Sequence, residues 1–253
     1  GQHFLIDESV LEDIVTVADI KKTDSIVEIG PGIGILTREL LSRAGHVTAI
    51  EIDPRMIPLL RIFTMNENAE LSKNLTIVEG NALQAAMPSE AYKVVANIPY
   101  HITSPLLTHL LLESPKRPTA MTLLIQREVA ENICSQESDS MLTVLVRLFG
   151  TPSLVRLVPP HCFLPPPKVD SAVLHIECFA EPKADLETVK RILKLSKLAF
   201  SKRRKMLRNT IGETPGGTEA MQEASIDPMR RPQTLSTDEW IMLDKALMAI
   251  RSA

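Results

Sequence analysis

Gly30, Gly32 and Gly34 follow a short β-branched run and precede a stretch of helical period. That spacing lets a backbone turn tightly and approach a ligand at a helix N-terminus. The pattern is GxGxG, and Ile35 occupies the place where a dinucleotide-binding loop carries its third glycine, so a nicotinamide or flavin dinucleotide fits poorly. Glu51 ends the next β-branched run, about twenty residues on, where a carboxylate can accept from both hydroxyls of a ribose. A cofactor with a free ribose and no pyrophosphate satisfies both features, and S-adenosylmethionine is the common one. The plainer alternative is a glycine turn with a surface glutamate.

A second group is Asn97-Ile98-Pro99-Tyr100, at the end of another strand-like run. Asparagine offers an acceptor oxygen and a donor amide, proline stiffens the turn, and tyrosine supplies a stacking face. An exocyclic amine on a purine needs those parts: an acceptor for its N–H, a backbone carbonyl and an aromatic platform. Phe163 is one of only nine aromatic residues and sits in the proline-rich stretch from Pro159 to Ser171. There it could close the second face of a base pocket. The alternatives are that Tyr100 fills the core and that Phe163 plugs the space beneath its loop. Histidines 3, 46, 101, 109, 161 and 175 and Cys134, Cys162 and Cys178 show no metal-ligand or CxxC spacing, so neither a metal site nor a disulfide framework is expected and a reducing compartment fits. Nor is there a GxSxG elbow, a P-loop or an HExxH pair.

The elements that must position these residues read as an α/β pattern with a mainly parallel sheet. Strands are expected at Ser25–Ile29, Val47–Glu51, Leu75–Glu79, Val94–Asn97 and Met121–Gln126, and helices at Glu8–Asp19, Leu36–Ala44, Arg55–Asn66 and Pro105–Leu112. Two further strands, Ser153–Val158 and Ala172–Cys178, have no crossover helix between them and should form an antiparallel hairpin at the sheet edge. From Asp185 the pattern is helical, at Asp185–Phe200, Arg203–Ile211, Thr218–Ala224 and Thr237–Arg251, which puts a boundary near Phe179–Lys183. With 44% apolar and 23% charged residues the chain can bury a sizeable core, and no apolar run approaches the ~18 residues of a membrane span. No targeting segment is visible, and the start at Gly1 without Met suggests a trimmed N-terminus.

The net charge of −3 hides an asymmetry. Residues 1–178 hold 14 Lys/Arg against 21 Asp/Glu, whereas residues 179–253 hold 14 against 10. Nine basic residues and no acid lie between Lys190 and Arg208, a stretch that repels itself unless something anionic covers it. A solvated helix face is the bland alternative.

Taken together, Gly1-Gln2-His3-Phe4-Leu5, Glu28 to Thr37, Glu51, Gly80-Asn81-Ala82, Asn97 to Tyr100, Phe163 to Ser171, Ala199 to Asn209 and Arg231 to Ser236 resemble the small-subunit ribosomal RNA adenine N6,N6-dimethyltransferases of the KsgA type. The resemblance covers nearly the whole chain. It implies a seven-stranded class I (Rossmann-like) methyltransferase sheet, residues 1–180, with a small all-helical RNA-binding domain, residues 181–253. It implies methyl donation by S-adenosylmethionine, leaving S-adenosylhomocysteine, without a metal. By motif position Gln2, His3, Leu5, Gly30, Gly32, Glu51, Asn81, Ala82 and Asn97 would line the donor site. Asn97, Pro99, Tyr100 and Phe163 would hold the target adenine, and Lys202, Arg203, Arg204, Lys205 and Arg208 would meet RNA. The implied partner is ribosomal RNA in an immature small subunit, bound by a monomer in the cytoplasm and away from membranes. Two departures stand out. Asn81 replaces the family's usual Asp, and the basic residues that normally precede Gly-Gln are absent. The antibiotic-resistance methyltransferases acting on large-subunit RNA share this core and are the nearest alternative, and a non-catalytic RNA-binding accessory role is the alternative from another class.

Overall fold

The computed structural model describes residues 3–137, 140–202 and 205–252. In chain order the elements are β1 (Phe4–Leu5), α1 (Glu8–Val17), β2 (Ser25–Ile29), α2 (Ile35–Arg43), β3 (His46–Glu51), α3 (Met56–Glu67), β4 (Leu75–Glu79), β5 (Lys93–Asn97), α4 (Thr103–Thr108) and β6 (Ala120–Gln126). They continue with α5 (Arg127–Cys134), α6 (Met141–Phe149), β7 (Gly150–Val158), β8 (Phe163–Leu164), β9 (Ser171–Cys178), α7 (Leu186–Phe200), α8 (Gly217–Glu223) and α9 (Thr237–Ser252).

Seven strands form one sheet in the order β4-β3-β2-β5-β6-β9-β7. The five from β4 to β6 are parallel and β9 runs antiparallel to β6. Burial on both faces explains the composition: Ala120 to Ile125 of β6 are all buried, as expected for a central parallel strand covered by helices on each side. From β2 the chain winds outward through β3 to β4, then returns to β5 on the other side of β2. Strand order therefore reverses between β2 and β5, and a ligand crevice opens at the carboxyl ends of strands at such a point. The loops after Ile29 and Asn97 both leave from that place.

The chain divides into two compact units, one running to Glu131 and including Thr151–Ala180, the other made of Asn132–Gly150 and Glu181 onward. The first holds the sheet, and one hydrophobic cluster in it packs α1 and α2 residues such as Ile14 and Leu40 with Ile26, Val95 and Val173 from the strands. The second buries Leu145, Val189, Ile192, Trp240 and Leu243. Within it Arg191 on α7 donates to both carboxylate oxygens of Asp244 on α9, which is 3% exposed. Asp185 starts α7 by accepting from the backbone N–H groups of Glu187 and Thr188, an N-cap that satisfies two otherwise orphaned donors.

Three sequence expectations change. Residues 132–150 join the helical unit although the sequence placed them before the boundary, and α5 and α6 went unread. In α6, Thr143, Val144, Leu145, Val146, Leu148 and Phe149 are all buried; an apolar run of only nine residues, rich in β-branched and apolar side chains, reads as a strand as readily as a helix. The helix expected at Arg203–Ile211 is replaced, over its described part, by 3-10 turns at Leu207–Asn209 and Ile211–Glu213. There the Leu207 and Arg208 N–H groups donate to the carbonyls of Arg230 and Pro228, so those two amides are spent on another segment rather than on a helix of their own.

Candidate active site

The β2–α2 loop is built on left-handed glycines. Gly32 has φ 58° and Gly34 has φ 102°, a conformation costly for other residues. Space is tight too, since a Cβ on Gly32 would lie 2.7 Å from the Phe4 ring and one on Gly34 2.7 Å from Leu60. Glu51, at the end of β3 and 3% exposed, accepts from the Gly32 N–H at 3.2 Å and from the Asp53 N–H at 2.8 Å. The acid thereby ties the loop after β2 to the loop after β3. Asn81 follows β4, and its side-chain oxygen accepts from the Leu83 N–H at 3.0 Å, which shapes the third loop.

Asn97 ends β5, and its amide nitrogen donates to the His3 carbonyl at 3.0 Å, leaving the side-chain oxygen as the available acceptor. The Pro99 carbonyl accepts from the Ile102 N–H at 3.1 Å and keeps a second lone pair. The Tyr100 hydroxyl lies 2.6 Å from the Ser171 hydroxyl, and burial pushes its phenol above the usual range. His3 faces Tyr100 with ring centroids 6.2 Å apart and planes at 23°, and its Nδ1 lies 2.8 Å from the Pro165 carbonyl.

These loops enclose a cavity of about 650 Å³. The sequence-expected donor residues His3, Leu5, Gly30, Gly32, Glu51, Asn81, Ala82 and Asn97 line it together with the acceptor residues Pro99 and Tyr100. Gln2, Arg203 and Arg204 lie outside the described residues.

Phe163 is not brought to the cavity. It is 2% exposed and packs in the core cluster with Leu5 and Val10, so it is the plug beneath the loop rather than a platform above it. The short ladder between β1 and β8 pairs Leu5 with Phe163 and Phe4 with Leu164. Alternation then sends Phe163 inward and leaves Leu164 62% exposed. The aromatic ring opposite Tyr100 is that of His3.

Three residues of the acid-free basic stretch find acids outside it. Lys190 pairs with Glu187, Arg191 with Asp244 and Lys202 with Glu213. Lys194, Lys197, Lys205 and Arg208 are exposed and have no acidic partner among the described residues.

Glu28 was given no role by sequence reasoning and lines the same cavity. It is 1% exposed and accepts from the Thr37 hydroxyl at 2.6 Å. Burial pushes its carboxyl up to about 8, with the nearby Glu51 adding to the rise and the Thr37 bond opposing it. The signal was an acid inside the apolar run Ser25 to Ile29, where a charge is not expected without a partner. Among the described residues no group of three or more His, Cys, Asp or Glu is placed to hold a metal ion, and no helix is long and apolar enough to cross a membrane.

A doubly wound sheet with a glycine loop after its first central strand, an acid at the end of the next and an Asn-Ile-Pro-Tyr turn at the switch point defines a class I methyltransferase. Among solved structures the chain is similar to a dimethyladenosine transferase from Plasmodium falciparum, with a TM-score of 0.79 and 27% identity over 99% of this chain and 98% of that one. It is similar as well to the 23S rRNA methyltransferase ErmE, with a TM-score of 0.74 and 29% identity over 97% of this chain and 99% of that one. The family model for ribosomal RNA adenine dimethylase matches residues 1–248. The chain is 40% identical to Ribosomal RNA small subunit methyltransferase A of Dehalococcoides mccartyi strain 195, over 96% of this chain and 85% of that protein. It is 38% identical to the protein of the same name from Clostridium botulinum strain Loch Maree, over 99% of this chain and 93% of that protein. The chain belongs to the ribosomal RNA adenine dimethylase family.

Proposed function

We propose that this protein transfers methyl groups from S-adenosylmethionine to the N6 amine of adenines in small-subunit ribosomal RNA, giving dimethyladenine, and that it acts as a cytoplasmic monomer on immature small subunits. The observation that carries the reading is the Asn97 amide, pinned through its nitrogen to the His3 carbonyl so that its oxygen is the acceptor at the switch point, in one cavity with Glu51.

The residues present fit the donor. The two oxygens of Glu51 suit ribose hydroxyls, Asn81 and Ala82 border the place for its adenine, and the alternate glycines Gly30, Gly32 and Gly34, which carry no side chain, leave room for its amino-acid end. S-adenosylmethionine, when bound, supplies an electrophilic methyl on a sulfonium. On the acceptor side the Asn97 oxygen and the free lone pair of the Pro99 carbonyl accept N–H bonds from the target amine and direct its lone pair away from the purine ring. Tyr100 offers the stacking face, an interaction worth roughly 1–3 kcal/mol by truncation. The reaction is an in-line displacement needing no protein nucleophile, so positioning supplies most of the acceleration. The proton released from the methylated nitrogen goes to water. After one transfer the amine keeps one N–H for Asn97 or Pro99, and Ile98, 1% exposed, adds little bulk to the wall where the first methyl must sit.

The test is nucleoside mass spectrometry on immature small subunits incubated with S-adenosylmethionine and either wild type or Asn97→Ala. Dimethyladenine from wild type and almost none from the variant is expected. Monomethyladenine alone after long incubation would turn the assignment toward a monomethylating relative. Modification confined to large-subunit RNA would turn it toward the antibiotic-resistance type.

A further inference from the structure

The mechanism above leaves one buried acid of the cavity unused. Glu28 on β2 and Glu51 on β3 stand on neighbouring parallel strands, where Glu28 is in register with Ala49, and both carboxyls are almost wholly buried against one cavity. The other charged or titratable groups on that wall are Asp53 and Arg55 after β3, His3 at β1, and Tyr100 and His101 after β5. Arg55 brings no free positive charge, since it is bound through Nε and Nη2 to Asp53 and its side chain is 83% exposed. From α2 only the Thr37 hydroxyl reaches Glu28. With Glu51 beside it and no buried cation between them, Glu28 cannot ionise cheaply. A positive charge entering the cavity reverses that balance, whereas an uncharged ligand does not.

We propose that Glu28 makes this cavity select a cationic sulfonium donor over its uncharged thioether product, and that Glu28 passes a proton to solvent when the donor binds. The proposal rests on the donor assignment made above. The step balances as Glu28–COOH going to Glu28–COO⁻ with H⁺ taken by water or buffer; no other bond changes. Thr37 stabilises the ionised form by keeping its hydrogen bond to the carboxylate. Glu28 is thus a specificity-determining residue for release of product rather than a participant in transfer. Because its carboxyl stays protonated up to about pH 8 in the free protein, donor affinity should rise with pH toward that value.

The experiment is calorimetric titration of the full chain with S-adenosylmethionine and with S-adenosylhomocysteine, each in two buffers of different ionisation enthalpy at pH 7. Wild type should release a substantial fraction of a proton with the donor and much less with the product. Glu28→Gln keeps an acceptor for Thr37 and should abolish the difference. Its preference for donor over product should fall about tenfold, the equivalent of one pKa unit. The ligands' own amines titrate alike in wild type and variant, so the difference between proteins isolates Glu28. Equal proton release in wild type and Glu28→Gln, or an unchanged donor-to-product ratio in the folded variant, would overturn the proposal. Glu51→Ala separates the two levels. It should weaken both donor and product, which share the ribose, and if it weakens neither, the donor assignment itself fails.

Discussion

Two buried carboxyls, one in each unit, are neutralised in different ways. Asp244 in the helical unit meets a guanidinium that donates to both its oxygens. Glu28 in the sheet unit meets only a hydroxyl and holds a proton instead. A group that serves the fold is given its counter-charge by the fold, because an unpaired buried ion costs several kcal/mol. A buried acid left without one at a cavity wall is waiting for a ligand's charge. The same contrast runs through the charge asymmetry of the chain. The acids that matter are inside, at Glu28 and Glu51, while the surplus bases Lys194, Lys197, Lys205 and Arg208 are exposed, where a polyanion can reach them.

The largest effect should come from Glu51→Ala. It removes the acceptor of two loop N–H groups and, on the donor placement proposed above, of the ribose hydroxyls, and hydrogen bonds to a charged group are worth about 1.5–3 kcal/mol each. Titration should show donor affinity reduced on the order of a hundredfold in a protein that still unfolds cooperatively. Undiminished affinity would remove the functional side of the comparison.

Next comes Asp244→Ala, which breaks the structural side. Arg191 keeps Thr188 as a partner and is 38% exposed, so its loss should be milder than for a wholly buried pair, about 2 kcal/mol. Thermal unfolding should report it, with donor affinity unaltered. Glu28→Gln should act in the opposite sense. Folding raises the Glu28 carboxyl from 4.5 to about 8, so between those values the native state binds a proton that the unfolded chain has lost. The stabilisation is complete below pH 4.5, declines as pH rises and is gone by about pH 8. Denaturant titrations at pH 5 and pH 8 should show wild type losing roughly 3–4 kcal/mol over that interval and Glu28→Gln losing less.

On the basic side, Lys194→Glu with Lys197→Glu should weaken RNA binding about tenfold at moderate salt and flatten its salt dependence, since each phosphate contact contributes a slope of about 0.7–0.9. Filter binding across a salt series checks both. Indifference to the reversal would mean that this part of α7 is a solvated face.

How legible each part was follows from how local its cause is. The strands ending at Ile29, Glu51, Glu79 and Asn97 could be read because β-branched runs and turn residues lie within a few positions, and those four ends carry most of the cavity. Asp244 as partner of Arg191 could not, because the two are 53 residues apart and the acid-free stretch looked unbalanced without it. Phe163 was placed on the wrong side of its loop for a similar reason: its direction is set by pairing with β1, far back in the chain. Residues 132–150 were missed because α6 is only nine residues long, too short an apolar run to tell helix from strand, and Glu28 because a sequence gives burial but not the absence of a counter-ion.

The smallest and most diagnostic change is Asn81→Asp. Asn81 lines the cavity proposed to hold the donor, and its side-chain oxygen already holds the Leu83 N–H. A carboxylate could keep that bond with one oxygen and accept from the donor's adenine amine with the other. It would do so with charge assistance that roughly doubles a hydrogen bond's strength, and the amide nitrogen that now competes as a donor would be gone. Set against this is a further negative charge near a cavity that holds Glu28 and Glu51, at a site open enough for water to screen it. Affinity for S-adenosylmethionine should therefore improve by about threefold, under 1 kcal/mol. Because adenine is common to both ligands, S-adenosylhomocysteine should gain nearly as much, unlike the donor-selective effect expected at Glu28. Parallel titrations with the two ligands decide it. Weaker binding of both would mean that the amide, not an acid, suits this position, and a gain confined to the sulfonium would mean that the introduced carboxylate acts through charge at a distance rather than through the adenine.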